Sequence, residues 1–153
     1  MDNTLISLFS IILTAYLGRK FTKSSKLNNS DKNNWYNCIK SNVTPPNYIF
    51  PIVWTILYIL LVKVFKDILD SKNKLLIILF AINLLLNISW TYFYFGKKDI
   101  KNAFIIILLI LATSIIILYK NNDNKLLYSP YVLWIGFATF LNYLSLDKIK
   151  ICL

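Results

Sequence analysis

The sequence predicts an all-α membrane protein, a bundle of five transmembrane helices. Two observations lead there. Five stretches carry no charge: Asn3 to Gly18, Ser41 to Val62, Leu75 to Gly96, Asn102 to Tyr119 and Leu126 to Leu146. Their lengths of 16, 22, 22, 18 and 21 residues bracket the roughly 20 that a helix needs to cross a hydrocarbon core of about 30 Å. Second, the 153 residues are 57% hydrophobic with a mean hydropathy of +0.56, too apolar for a soluble domain of this size. Allowing for flanking residues, the spans cover about 3–20, 46–66, 75–96, 102–120 and 127–147 of one membrane domain, 1–153, with a first loop at 21–45.

The first span is the shortest, but Asp2 stands where a signal peptide would carry a basic residue, so it reads as a helix that is kept. Ser7, Ser10, Thr14 and Gly18 recur along it at i, i+3, i+7 and i+11. Such a small-residue seam admits another backbone closely, within the bundle or in a homodimer. The loop that follows is rich in Lys, Asn and Ser; its first half reads as flexible. Its second half sets Trp35, Tyr36 and Ile39 on one side of a short helix, suited to lying in the membrane interface. The remaining connections are short, so sequence neighbours should pack antiparallel.

In the second span Trp54 and Tyr58 lie four apart. Asn83, Asn87, Trp90 and Tyr94 form one stripe in the third span, and Trp134, Ala138 and Asn142 form another in the fifth, with Pro130 one turn earlier. An amide facing lipid costs several kcal/mol, so these asparagines must point into the bundle. There they serve either as interhelical ties or as the polar groups of an aromatic pocket for a flat apolar ligand. The fourth span, Phe104 to Leu118, is nearly all aliphatic and reads as lipid-facing.

Seventeen Lys and Arg oppose seven Asp. They flank the spans instead of forming a basic face, which points to membrane lipid as the anionic partner and not to nucleic acid. Eleven of the seventeen fall on the side of the first loop and the C-terminus; by the positive-inside rule that side is cytosolic and the N-terminus is outside. Cys38 and Cys152 are too few and too distant in sequence to argue for a disulfide framework or metal cluster, and read as free thiols. The chain has no His and no Glu. It therefore offers no imidazole ligand or base and no intramembrane carboxylate, and metal sites, His-based catalysis and proton-coupled transport drop away.

The runs Trp35-Tyr36 through Lys40, Pro45-Pro46, and Phe50-Pro51-Ile52-Val53-Trp54-Thr55-Ile56-Leu57-Tyr58 resemble the start of the TspO/MBR family. These are tryptophan-rich sensory proteins whose animal members are the mitochondrial translocator, or peripheral benzodiazepine receptor. Asn83 through Trp90 with Phe93-Tyr94-Phe95-Gly96, and Pro130 through Trp134 with Phe137-Ala138-Thr139 and Leu141-Asn142-Tyr143, resemble its third and fifth helices.

The resemblance implies a five-helix bundle, often dimeric, that binds porphyrins such as protoporphyrin IX or other planar hydrophobic molecules and is a candidate transporter of them. It implies the mitochondrial outer membrane in a eukaryote and the cell membrane in a bacterium. The implied pocket comprises Trp54, Tyr58, Asn87, Trp90, Trp134, Ala138 and Leu141, with Pro45 and Pro46 shaping the covering loop. No cofactor follows, and without His a metal-free tetrapyrrole is favoured over haem. Leu141, Tyr143 and Lys148 fit a loose cholesterol motif. The sequence departs from the family pattern at Ser41, for a usual proline, and at Val43, for a tryptophan; the latter removes an indole from the lid. The alternatives to a binding protein are a light-dependent porphyrin-oxidising enzyme using indoles, a cholesterol or lipid translocator, and a structural protein with an unused pocket.

Overall fold

A computed structural model describes residues 2–24 and 35–152; of the first loop's expected flexible half, 21–24 instead continue the first helix and the rest falls outside the described residues. The described residues are helical with no strand. The long helices are α1 (Asn3–Ser24), α3 (Ile49–Asp70), α4 (Lys74–Thr91), α5 (Ile100–Lys120) and α6 (Lys125–Leu146). Two short ones, α2 (Trp35–Ile39) and α7 (Ile149–Cys152), lie at one end. Four helices are long and apolar enough to cross a membrane: α1, α3, α4 with its continuation to Gly96, and α5. The fifth apolar segment forms α6, equally long at 22 residues, and is not among those four.

Local chemistry sets the helix ends. Asn73 and Asp99 are N-caps whose side-chain oxygens accept from the backbone N–H of Leu76 (3.3 Å) and Asn102 (3.1 Å). Pro51 sits in the first turn of α3, where its missing N–H costs nothing. Pro130 lies one turn into α6 and leaves the Leu126 carbonyl without its helical donor; the Ser129 hydroxyl donates to that oxygen at 3.1 Å. Lys72 and Lys98 turn the chain in the left-handed region (φ 53° and 57°).

The helices form a ring in the order α1, α3, α6, α5, α4, with α1 closing on α4. The short connections join packed neighbours at α4–α5 and α5–α6, as expected, and helices in weaker contact at α3–α4. The α3–α4 connection is tight, yet α3 packs chiefly on α1 and α6. Large side chains explain it: Leu57, Leu61, Val64, Phe65 and Ile68 are all buried, and Phe65 stacks on Phe80 of α4 at 4.5 Å only near the turn. The small-residue seam of α1 is used inside the protomer. Ser7 and Thr14 are buried, and a Cβ on Gly18 would lie 3.7 Å from the Thr91 side chain. The opposite face, with Phe9 and Ile12, is exposed as a lipid-facing surface requires.

The fourth span is not simply lipid-facing. Helix α5 is wedged between α4 and α6, burying Ile100, Ala103, Ile107, Ile110, Ser114 and Ile117 while exposing Ile105, Leu109 and Ile115. A nearly all-aliphatic sequence hid this, because aliphatic side chains suit lipid and protein interior alike; only Thr113 and Ser114 mark the inward face. At the opposite pole from the first loop, Asn3 donates to Asp70 (2.7 Å), and Lys63 and Lys66 pair with Asp67 and Asp70 one turn on.

At the loop end, helix α2 turns its apolar face onto the bundle. Ile39 is fully buried, Trp35 meets the Tyr94 ring edge-on at 6.0 Å and Tyr36 approaches Phe95 at 5.8 Å. This helix thus caps one pole of the bundle. The expectation of free thiols is overturned: Cys38 and Cys152 form a disulfide across 114 residues, their Cα atoms 5.8 Å apart. Sequence distance misled because the ring brings the first loop and the C-terminus to the same pole.

Candidate ligand-binding site

Helix α4 supplies the polar stripe, and each amide is engaged. The Asn83 Nδ2 lies 2.7 Å from Thr113 Oγ1, 2.9 Å from Ser114 Oγ and 3.1 Å from the Ile110 carbonyl. Its Oδ1 accepts from the Tyr131 hydroxyl at 2.6 Å, and that hydroxyl accepts from Asn87 at 2.5 Å. One turn further, the Trp90 indole donates to Asn142 Oδ1 at 3.0 Å, and Tyr94 and Ser145 share a hydrogen bond at 3.2 Å. Asn142 also donates to the Ile100 carbonyl at 3.4 Å. These bonds tie α4, α5 and α6 together, so the interhelical-tie reading holds for all three asparagines.

At Tyr92 the helix changes pitch. Tyr92–Gly96 form a π-helical turn, with Lys97 N–H reaching the Tyr92 carbonyl at 2.8 Å. The wider turn shifts the register and carries Tyr94 under the cap formed by α2, while Trp90 and Phe95 pack against it at 5.2 and 4.8 Å. Such turns recur at functional sites.

Four predicted pocket residues, Trp134, Trp90, Ala138 and Leu141, line two separate spaces; Asn87, engaged with Tyr131, lines neither. A groove of about 400 Å³ between α3 and α6 is lined by Val53, Ile56, Leu57, Pro130, Leu133, Trp134 and Phe137. A smaller cavity of about 40 Å³ lies at the capped end; Trp90, Ala138 and Leu141 line it with Tyr36, Lys40, Thr44 and Phe50. Phe50 borders the small cavity and meets Trp134 of the groove edge-on at 5.8 Å. This aromatic pair stands between the two spaces. Ligand sites typically enclose about 300–1,000 Å³, so only the groove has that size, and the small cavity must open to hold a macrocycle.

Trp54 and Tyr58 line neither space. They pack on each other at 5.3 Å, and Trp54 meets Tyr131 at 6.5 Å, supporting the hydroxyl that Asn87 contacts. Pro45 follows one turn, Ser41 to Thr44, and Pro46 opens the next, Pro46 to Ile49. Thr44, not either proline, reaches the cavity. The sterol triplet does not converge: Leu141 is buried, Tyr143 faces outward against Phe104, and Lys148 Nζ is committed to the Lys40 carbonyl at 2.7 Å. Sequence reasoning missed Tyr131 as the hub. A signal existed, since Tyr131, Ile135, Ala138, Asn142 and Ser145 recur at i, i+4, i+7, i+11 and i+14 and are all buried.

A ring of apolar helices tied by buried amides, with an indole-lined space at one pole, defines a helical membrane protein built around an interhelical aromatic site. The TspO/MBR family model matches residues 6–145, and the chain belongs to that family. It is 32% identical over 124 residues to the tryptophan-rich protein TspO of Chlorobaculum tepidum, covering 74% of this chain and 78% of that protein. The TspO of Archaeoglobus fulgidus is 31% identical over 149 residues, 90% of each chain. The tryptophan-rich sensory protein of Cereibacter sphaeroides is 30% identical over 116 residues, 71% of this chain and 73% of that protein. Family membership and the four apolar helices mark an integral membrane protein.

Proposed function

We propose that this protein binds a planar hydrophobic ligand of the porphyrin type between α3, α4 and α6, as a binding or sensory membrane protein and not as an enzyme. In this reading α6 is the fifth span, the pole bearing α2 and α7 faces the cytosol, and the disc enters where the 400 Å³ groove and the small cavity meet. The observation that carries it is the Phe50–Trp134 pair. Rotating the Phe50 ring about its side-chain torsions joins an apolar groove to a space lined by Trp90, Tyr36 and Lys40.

The combined space has the chemistry such a ligand needs. Indole and phenol faces stack on a flat π-system, and the Lys40 ammonium at the mouth complements a propionate carboxylate. The chain has no His to ligate iron, so the favoured ligand is the metal-free macrocycle. A relative's name, tryptophan-rich sensory protein, supports a signalling output as much as transport.

The test is binding of protoporphyrin IX in the dark to wild type, Phe50→Trp and Lys40→Gln. Phe50→Trp blocks the junction and weakens binding, while Lys40→Gln weakens protoporphyrin but spares its dimethyl ester. Equal affinity of both variants and wild type for both compounds would reject this site.

A further inference from the structure

The disulfide lies where it can control access to the cavity. Helix α2 and the turns after it form a strap, residues 35–49, across the cavity's pole; Tyr36, Lys40 and Thr44 of the strap line the cavity itself. Two links fasten the strap's near end to the C-terminus, the Cys38–Cys152 bond and the hydrogen bond from Lys148 to the Lys40 carbonyl. Side-chain packing of Ile39, Trp35 and Tyr36 adds to their hold on α2, which is only five residues long. A helix so short has no stability of its own. Cys38 is solvent-exposed, and exposed disulfides are the labile ones.

We propose that Cys38–Cys152 is a reversible redox latch, closed by a disulfide of the glutathione class and opened by the corresponding thiol, that governs strap release from the cavity. A glutathione thiolate attacks the exposed Cys38 sulfur, giving a mixed disulfide there and expelling Cys152 as a thiolate, which takes up a proton. A second glutathione thiolate attacks the glutathione sulfur of the mixed disulfide, releasing Cys38 as a thiolate that is protonated in turn, and glutathione disulfide. Two glutathione thiols are oxidised and one protein disulfide is reduced; excess glutathione disulfide drives the reverse. The lysine-rich pole places the latch on the cytosolic side in the proposed orientation, where a glutathione pool is present. With the latch open, the strap is retained by the Lys148 bond and the side-chain contacts of α2.

The inference rests on the proposed function for what enters the cavity, but not for the strap's movement, and the test separates the two. Amide hydrogen exchange is followed in residues 35–44 for oxidised protein, protein equilibrated with reduced glutathione, and Cys152→Ser. Association of protoporphyrin IX is timed in the same three samples. The latch predicts exchange about tenfold faster or more in the reduced protein and in the variant, no change in the α5 segment 103–117, and faster association. Exchange that is equal in all three, or a bond that glutathione does not reduce, overturns the latch whether or not porphyrin binds. Redox-dependent exchange with no porphyrin binding in any sample retains the latch and rejects the ligand.

Discussion

Replacing Asn83 by Leu tests whether buried amides hold this ring together. The Asn83 amide has two N–H donors, so of the three acceptors within 3.1 Å two are served fully; with the bond accepted from Tyr131 that makes three. Interhelical hydrogen bonds in membranes average about 0.6 kcal/mol and reach about 1.7, so the three contribute about 2 kcal/mol. The Tyr131 hydroxyl then loses its acceptor while still receiving from Asn87, adding about 1 kcal/mol. Thr113 keeps its bonds to the Leu109 and Ile110 carbonyls and adds nothing. The expected loss is about 3 kcal/mol, measured by reversible unfolding in mixed micelles on titration with a denaturing detergent. Ser89→Ala is the control, since Ser89 bonds the Leu85 carbonyl of its own helix, and it should cost less than about 0.5 kcal/mol. A loss for Asn83→Leu no larger than the control would refute the reasoning.

Other outcomes follow from the same geometry. Trp90→Phe keeps the ring but removes the indole donor to Asn142, lowering stability by about 1 kcal/mol in the same titration. Gly18→Ala meets Thr91 at ordinary contact distance and gains about 1 kcal/mol of helix propensity, so it is neutral or stabilising, whereas Gly18→Leu pushes α1 off α4 and destabilises. Lys72→Gly relieves a left-handed backbone and raises stability by about 1 kcal/mol, checked by the same unfolding assay. Burial pushes the Tyr36 phenol above its ordinary 10.0. The neutral form is then favoured in the folded strap, and that contribution is complete below the ordinary value and lost as pH rises through the folded one. Hydrogen exchange at 35–40 should therefore show no Tyr36-linked loosening until the pH passes the ordinary phenol value.

Helical periodicity accounts for what was legible in the sequence. Asn83, Asn87 and Asn142 all point inward because an unpaired amide is intolerable in lipid, and their spacing alone carries that information. The seam of Ser7, Thr14 and Gly18 is likewise readable. Three features are not. The burial of α5 is nearly hidden by its aliphatic content, Thr113 and Ser114 being the polar exceptions. The Cys38–Cys152 bond depends on ring order, which loop lengths do not encode. The groove and the small cavity, with the Phe50–Trp134 pair between them, and the π-helical turn at Tyr92–Gly96 leave no periodic trace. The family resemblance implies Trp54 and Tyr58 as pocket residues; here Tyr58 packs on Trp54, and Trp54 packs on Tyr131.

The central claim is that the space where Phe50, Trp90 and Trp134 meet holds a planar hydrophobic ligand. Its most direct test is a dark titration of purified protein with protoporphyrin IX, following tryptophan fluorescence beside a Trp134→Phe variant. Light absorption by free porphyrin dims both proteins alike and without limit. Saturable quenching in the wild type that weakens in the variant is the predicted result; linear quenching identical in the two would contradict the claim.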